Sequence, residues 1–223
     1  GGRPHARGHA AGPAMAGAGA LSESRPVLLS RCDEDPHLFQ LEVFAADQVG
    51  LSFRLCELLL KHRFDICTCQ LRLEDDVFRG SLVIRNPDED AQYRARILGQ
   101  QLESFLRTCQ GAPPPRPEDP RTLERLSVNP DLFVVAAFHE LPASGCRPDE
   151  LQYSIDVRGL NQAGLLAYLS LVFFRCEFNI VNTDIGTNDD DMSLKFVLSA
   201  TSQTSQKVLH THLNITTPPP SAR

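Results

Sequence analysis

Two short stretches that combine polar residues with glycine have the chemistry to hold a small charged molecule. They are Asp47-Gln48-Val49-Gly50-Leu51 and Asn161-Gln162-Ala163-Gly164-Leu165. Each follows an alternating pattern typical of a strand and precedes an apolar periodicity typical of a helix. Glycine lets the backbone turn tightly and approach a ligand closely. The first turn of a helix offers free N–H groups that attract a carboxylate, and an Asn amide adds a donor and an acceptor.

The elements that position these turns follow a recognisable order. In the first half, the helix after Gly50 has an apolar face that includes Leu51, Leu55 and Leu59. A second helix is predicted after Asn86, with Pro87 and acidic residues in its first turn. Strands are predicted at 38–44, 64–73, 77–85 and 132–138, which gives the order βαββαβ. In the second half, strands are predicted at 151–157, 178–185, 192–200 and 210–216, and helices at 162–175 and 201–209.

The two halves are copies of each other at an offset of 114 residues, as between Gly50 and Gly164. The same offset relates Gln48 to Gln162 and Phe64 to Phe178, and it holds without a gap from about residue 39 to residue 84. This one offset aligns the turn residues, the core positions and the strand starts of the two halves. Because a chance match would preserve apolar periodicity but not all of these, the sequence indicates a duplication.

The two glycine turns resemble the signature of the ACT family, in which an acid or amide and a Gly lie at the first strand-to-helix turn. Val49 and Ala163 replace the Pro that usually precedes this Gly. The resemblance covers about residues 37–216, and the tandem arrangement is similar to glycine cleavage system transcriptional repressors and to the C-terminal ACT pair of nitrogen-sensing uridylyltransferases. It implies an α+β fold with two ferredoxin-like βαββαβ modules, each an antiparallel sheet with its helices on one face. We expect the modules to join at their sheet edges, or chains to dimerise there, because an exposed edge is a template for pairing.

The resemblance also implies a ligand site. In ACT pairs that bind amino acids, the polar residue before the Gly acts together with an Asn that starts the second strand. The second repeat has Asn161 and Asn179 in these places, whereas the first repeat has Asp47 and Asp65. We therefore expect the Asn pair to bind an amino acid, since two Asp side chains would repel its carboxylate. The alternative is that Asp47 and Asn161 only cap their helices.

The predicted organisation has four parts. Residues 1–35 form a flexible N-terminal segment, 36–140 form module 1, 149–217 form module 2 and 218–223 form a tail. Module 1 includes a Pro-rich insert at 111–120, which we expect to be extended. Residues 1–21 contain no acidic residue and too few apolar residues for a core. Met15 is a possible start, and an acid-free, Arg-containing start is also typical of an organelle transit segment.

Composition narrows the classes of function. The formal net charge is −6 with only three Lys, and the Arg residues are scattered, which argues against a nucleic-acid partner. No stretch approaches the roughly 20 apolar residues of a membrane helix. Seven Cys, an odd number, favour a reducing intracellular compartment over a disulfide framework. The cytoplasm and the matrix of a mitochondrion or plastid remain alternatives.

Metal and enzyme chemistry are not predicted. Cys67 and Cys69, the Asn188–Asp191 turn, and His210 and His212 lack further ligands at suitable spacing. No G-x-S-x-G, P-loop, H-E-x-x-H or dinucleotide motif occurs. The resemblance to the ACT family then implies a non-catalytic regulatory protein without a cofactor, which binds a metabolite such as an amino acid and signals to a protein partner. The alternative is an ACT-fold scaffold or accessory subunit of a larger assembly that binds no ligand.

Overall fold

The computed structural model describes residues 25–48, 50–109, 126–142, 150–188, 190–200 and 203–213. Its strands are β1 (Val27–Arg31), β2 (Leu38–Ala46), β3 (Asp65–Glu74), β4 (Val77–Arg85), β5 (Phe133–Glu140), β6 (Leu151–Leu160), β7 (Asn179–Asn188) and β8 (Asp191–Ala200). Its helices are α1 (Leu51–Lys61), α2 (Ala91–Cys109), α3 (Leu165–Arg175) and α4 (Gln203–His212). A short 3-10 helix, Pro130–Leu132, leads into β5.

The eight strands form one antiparallel sheet in the order β1-β2-β4-β3-β7-β8-β6-β5. Along β2, Phe39, Leu41 and Val43 are buried while Gln40 is exposed, so one face of the sheet packs on the core. The helices cover that face, which is a common two-layer solution for burying an apolar surface. The predicted α+β class is confirmed, and the first and second halves meet edge to edge through β3 and β7.

The edge strand of each half differs from the sequence-based order. The strand at 132–138 was expected to close module 1, but β5 pairs with β6 of the second half. The corresponding place beside β2 is filled by β1, which lies within residues 1–35, the segment expected to be flexible. Each half therefore runs ββαββα, a circular permutation of the expected order. The apolar run Val27-Leu28-Leu29 is the local signal for β1, but its partner depends on contacts that local periodicity does not encode.

An approximate twofold axis relates the two halves. It passes through the β3–β7 pair, where Gln70 lies opposite Asp184, its equivalent at the 114-residue offset. Above the sheet, α1 packs against α3. The offset also relates Cys56 to Ser170, and these two side chains meet between the helices. The copies thus pair as two subunits of a symmetric dimer do, with the same surface on both sides.

The central position of α3 explains why it is apolar almost throughout. Nine of its residues are buried, including Leu169, Phe173 and Phe174, because it contacts both the sheet and α1. Phe53 of α1 joins Leu171 and Phe174 of α3 in a small cluster between the two helices. At about 1.5–3 kcal/mol for each fully buried large apolar side chain, this contact fixes the relative position of the halves.

The end of the second half also differs from the sequence-based order. The predicted helix at 201–209 is present as α4, but it continues through His210 and His212, which were assigned to a closing strand. The ring of His210 packs edge-on against Phe138 of β5, with 4.7 Å between centroids. The closing strand is unnecessary because β5 already occupies the edge beside β6. The rest of that segment, 214–216, lies outside the described residues.

Candidate functional site

Both glycine turns begin their helices with a left-handed backbone. Gly50 has φ 87° and Gly164 has φ 84°, a region in which a Cβ is strained. Each glycine is itself the N-cap residue, and no side chain caps either helix. Capping by Asp47 and Asn161 is therefore not what the structure shows. Their backbone N–H groups instead donate to the carbonyls of Asp76 and Asp190 in the following hairpin turns, which holds each loop against its own sheet.

The polar pairs form between the repeats. The amide of Asn179 donates to the carboxylate of Asp47 at 2.7 Å, so the start of β7 is bonded to the turn of the first half. By the same symmetry, Asp65 at the start of β3 and Asn161 of the second turn line one cavity. The structure thus groups each repeat's turn residue with the other repeat's strand residue, and each group contains one Asp and one Asn.

The cavity at Gly164 is the candidate site. It has a volume of about 40 Å³, and its walls include Asp65 and Ile66 of the first half and the whole turn Asn161–Leu165 of the second. Leu60 of α1 lies over Gly164, where an added Cβ would stand 3.2 Å from its Cδ2. Asp65 and Asn161 are both exposed, so they lie at the mouth of the cavity, and the apolar residues form its interior.

The turn at Gly50 has an aromatic ring in the corresponding place. The 114-residue offset relates Leu60 to Phe174, and an added Cβ at Gly50 would stand 3.0 Å from the Phe174 ring. The larger ring covers the glycine, and the Asp47–Asn179 bond occupies the two polar groups. The two copies of the turn are therefore unequal in structure, and Leu60 against Phe174 is the physical difference.

A loop from the second half covers the outer side of the Gly164 turn. The side chain of Gln162 accepts from the N–H of Asn129 at 2.8 Å and donates to its carbonyl at 3.1 Å. These two bonds hold the segment before β5 in place. The carbonyl of Leu126 in this segment would lie 3.4 Å from a Cβ at Gly164. This segment therefore packs against the Gly164 turn, whereas Leu60 lines the cavity itself.

The acidic side chains at both turns are affected by burial. Burial raises the pKa of Asp47, and the bond from Asn179 offsets only part of that rise. Asp65 is exposed as a whole residue, but partial desolvation of its carboxyl group raises its pKa, with the Arg85 guanidinium lowering it in part. A ligand ammonium beside Asp65 would lower this pKa again, because an opposite charge favours the carboxylate.

Of the residues predicted from sequence, Asp65 and all of Asn161, Gln162, Ala163, Gly164 and Leu165 line the cavity, whereas Asn179 does not. Asp47, Gly50 and Leu51 belong to the other turn together with Gln48, and Val49 lies outside the described residues. Leu60, Phe174, Leu126 and Asn129, which also lie at the two turns, were not predicted from the sequence. The first two had a signal, because the repeat offset aligns Leu60 with Phe174.

Within the described part of the chain, no three His, Cys, Asp or Glu residues are grouped as metal ligands would be. The pairing of β3 with β4 shifts register between Ile66 and Thr68, so Cys67 lies at an irregularity of the strand. Asn188 and Asp191 form the end of the β7–β8 hairpin. None of the described helices has the length and apolar character that crossing a membrane requires.

Comparisons with known proteins give distant similarities. No protein-family profile matches the chain. It is 25% identical over 178 residues to the bifunctional uridylyltransferase/uridylyl-removing enzyme of Neisseria gonorrhoeae strain NCCP11945, covering 78% of this chain and 20% of that enzyme. The same enzyme of strain FA 1090 matches equally. The chain thus spans about a fifth of the length of these relatives.

The similarities to solved structures are weaker still. An unknown protein from Galdieria sulphuraria has a TM-score of 0.27 at 14% identity, over 80% of this chain and 94% of that one. A glycine cleavage system transcriptional repressor has a TM-score of 0.26 at 12% identity, over 80% and 88%. Aspartate kinase from Synechocystis has a TM-score of 0.25 at 12% identity, over 82% and 42%. At these TM-scores the superpositions carry no argument about this chain.

Proposed function

We propose that this chain is a non-catalytic regulatory protein of the ACT type, which binds a small amino acid in the cavity at Gly164 and passes the signal to a protein partner. The observation that carries the proposal is the composition of this cavity. One wall contributes a carboxylate, Asp65, and the other contributes an amide, Asn161, beside the start of α3. An amino acid needs an acceptor for its ammonium and donors for its carboxylate, and these groups supply both.

The position of the cavity gives binding a consequence. Because Asp65 belongs to the first half and Gly164 to the second, a ligand there would contact both halves at once. It would stabilise the packing of α1 on α3 that it bridges, and any partner that distinguishes this packing would respond. The cavity holds roughly three water molecules at about 10–15 Å³ each. Glycine, alanine and serine therefore fit the proposal better than branched-chain amino acids do.

The test is isothermal titration of the purified chain with glycine, alanine, serine and branched-chain amino acids, together with thermal unfolding. We expect saturable heat with a small amino acid, and a stabilisation of about 2.7 kcal/mol when its concentration reaches 100 times Kd. Asn161→Ala should abolish this effect. Asn179→Ala is the matched control, because Asn179 bonds to Asp47 instead of lining the cavity.

Two results would contradict the proposal. Absence of heat and of thermal stabilisation with all of these amino acids would remove the sensor function. Equal loss of binding in Asn161→Ala and Asn179→Ala would show that the site had been placed in the wrong group of residues.

The small volume of the cavity favours a second candidate, an ACT-type scaffold or accessory subunit that binds no ligand. Leu60 and the carbonyl of Leu126 both lie close to Gly164, and the cavity there measures only about 40 Å³. The two functions differ in their native size. A scaffold would migrate in cell extract only as part of a very large complex and would not be stabilised by amino acids. A sensor would migrate as a small species whose melting temperature rises with its ligand.

A further inference from the structure

The outer edge of β1 presents backbone groups that no described strand binds. Two hydrogen bonds show which residues of this segment direct their backbone groups towards β2. The carbonyl of Pro26 accepts from the N–H of Phe44, and the N–H of Cys32 donates to the carbonyl of Leu38. In an antiparallel pair, alternate residues exchange their bonds with the same neighbour. The N–H and C=O groups of Val27, Leu29 and Arg31 therefore point away from β2. An edge of this kind is a template for another strand.

The opposite edge of the sheet is less suited to pairing. There β5 carries a register shift between Val135 and Ala137, and such bulges twist an edge and interrupt its row of donors and acceptors. The β1–β2 pairing runs through all five residues of β1 without a shift. Of the two terminal strands, β1 is thus the one with a regular edge that is unpaired within the described residues.

A groove of about 800 Å³ runs beside this edge, between β1 and α2. Leu29 forms part of its floor, and an added Cβ at Gly99 would lie 3.8 Å from the Leu29 side chain. Tyr93 on the α2 side is 59% exposed, and Leu28 on β1 is 47% exposed. The groove therefore combines backbone groups, an apolar floor and a large exposed aromatic ring, which are features enriched at protein interfaces.

The groove is complementary to a second copy of itself. Leu29 is the central residue of β1 and lies beneath Gly99, so one twofold axis can pass close to both. About this axis, β1 would pair with β1 of a second copy in antiparallel orientation, and the outward groups of Val27 would face those of Arg31. Two antiparallel α2 helices centred beside Gly99 would bring Arg96 of each copy opposite Glu103 of the other.

Both of these charged side chains lie at the groove. The Arg96 guanidinium lies over the ring of Tyr93, 5.4 Å from its centroid, and Glu103 accepts from Arg107 at 3.2 Å. These contacts hold each charge near the surface that the second helix would approach. A twofold interface needs such self-complementary pairs, because the same patch supplies both sides.

We propose that two copies of this chain form a homodimer in which their β1 strands extend the sheet across the edge and their α2 helices pack side by side. The sheet would then run continuously through sixteen strands, twice the eight of one chain. This interface is separate from the cavity at Gly164, so its test does not depend on ligand binding. A signal passed to a protein partner would then come from a dimer that contains four glycine turns, two in each chain.

The experiment is sedimentation velocity of the full chain over a concentration series at low salt, with charge-reversal variants. We expect a dimer for the unmodified chain. Arg96→Glu and Glu103→Arg should each raise the dissociation constant by at least about tenfold, because like charges then face each other. The double variant Arg96→Glu/Glu103→Arg should restore the dimer, as should mixing the two single variants. Val134→Glu, on the opposite edge, is the matched control and should change nothing.

Three outcomes would overturn the proposal. The first is a monomer at all concentrations. The second is a dimer that the single reversals leave intact, which would place the interface elsewhere. The third is a monomeric full chain that dimerises only after residues 1–24 are removed, which would make that segment the occupant of the edge. Far-ultraviolet circular dichroism of each variant separates loss of the interface from loss of α2, since Glu103 also bonds to Arg107.

Discussion

Substituting Leu60 by Phe should place a ring against Gly164, as Phe174 places one against Gly50, and so reduce the cavity there. The ring at Gly50 already stands 3.0 Å from the place of a Cβ, so a ring of the same kind fits against a glycine in this backbone geometry. Filling all of the roughly 40 Å³ at about 24 cal/mol per Å³ sets an upper limit of about 1 kcal/mol on the added stability. Leu60→Phe should therefore raise the free energy of unfolding by up to about 1 kcal/mol and abolish stabilisation by amino acids.

Urea unfolding followed by circular dichroism measures the first effect, and thermal unfolding with ligand measures the second. The matched control is Phe174→Leu, which removes a ring from a well-packed position and should destabilise the chain by about 1–2 kcal/mol without affecting the Gly164 site. If Leu60→Phe destabilises the protein by a similar amount, the ring does not enter the cavity. If it leaves ligand stabilisation unchanged, ligand binds elsewhere.

Three further predictions concern stability in urea. Gly50→Ala and Gly164→Ala should each cost about 1–2 kcal/mol because their φ angles are positive, with the larger cost at Gly50, where Phe174 is closer. Asn86→Ala should cost about 2–3 kcal/mol, because this fully buried amide bonds at both ends and its loss leaves backbone groups unpaired. Asp47→Asn should have a higher free energy of unfolding than the unmodified chain. The difference should grow as pH rises from the ordinary pKa of Asp through the raised pKa of Asp47 in the folded chain.

The sign of the Asp47 prediction follows from proton binding. Because burial raises the pKa of Asp47 in the folded state, the folded chain binds more protons than the unfolded chain between the two pKa values. Stability contributed by this group is therefore lost as pH rises through that interval. Urea unfolding at several pH values would refute the reasoning if the difference between the variant and the unmodified chain stayed constant or shrank.

For Gly50→Ala and Gly164→Ala, equal losses in the free energy of unfolding would contradict the role given to Phe174.

Most elements were predictable because their signals are local. The apolar face of α1 and the alternation in β2 follow directly from helix and strand periodicity. The 114-residue offset predicted that both turns adopt one geometry, and Gly50 and Gly164 differ by only 3° in φ. The edge strands were not predictable in the same way. A strand signal at 132–138 is compatible with either half, and only the pairing of β5 with β6 decides between them.

The candidate site was likewise predictable only in part. The residue types of the two turns were evident from sequence, but the grouping was not, because Asp47 and Asn179 are 132 positions apart and meet only when β3 and β7 pair. The hypothesis that Asn161 and Asn179 act together followed from treating each repeat separately. A symmetric interface exchanges such residues, because each copy's strand start lies beside the other copy's turn.

The sequence by itself determined the 114-residue correspondence between the halves, where the turns lie and which side chains bear polar groups there. These properties depend on neighbouring residues and on periodicity, which survive in the unfolded chain. The tertiary structure decided which side chain lies against each glycine. Leu60 and Phe174 occupy equivalent positions, and each lies against the glycine of the other half only after α1 packs on α3. An aliphatic side chain therefore lies beside the cavity at Gly164, whereas a ring covers Gly50.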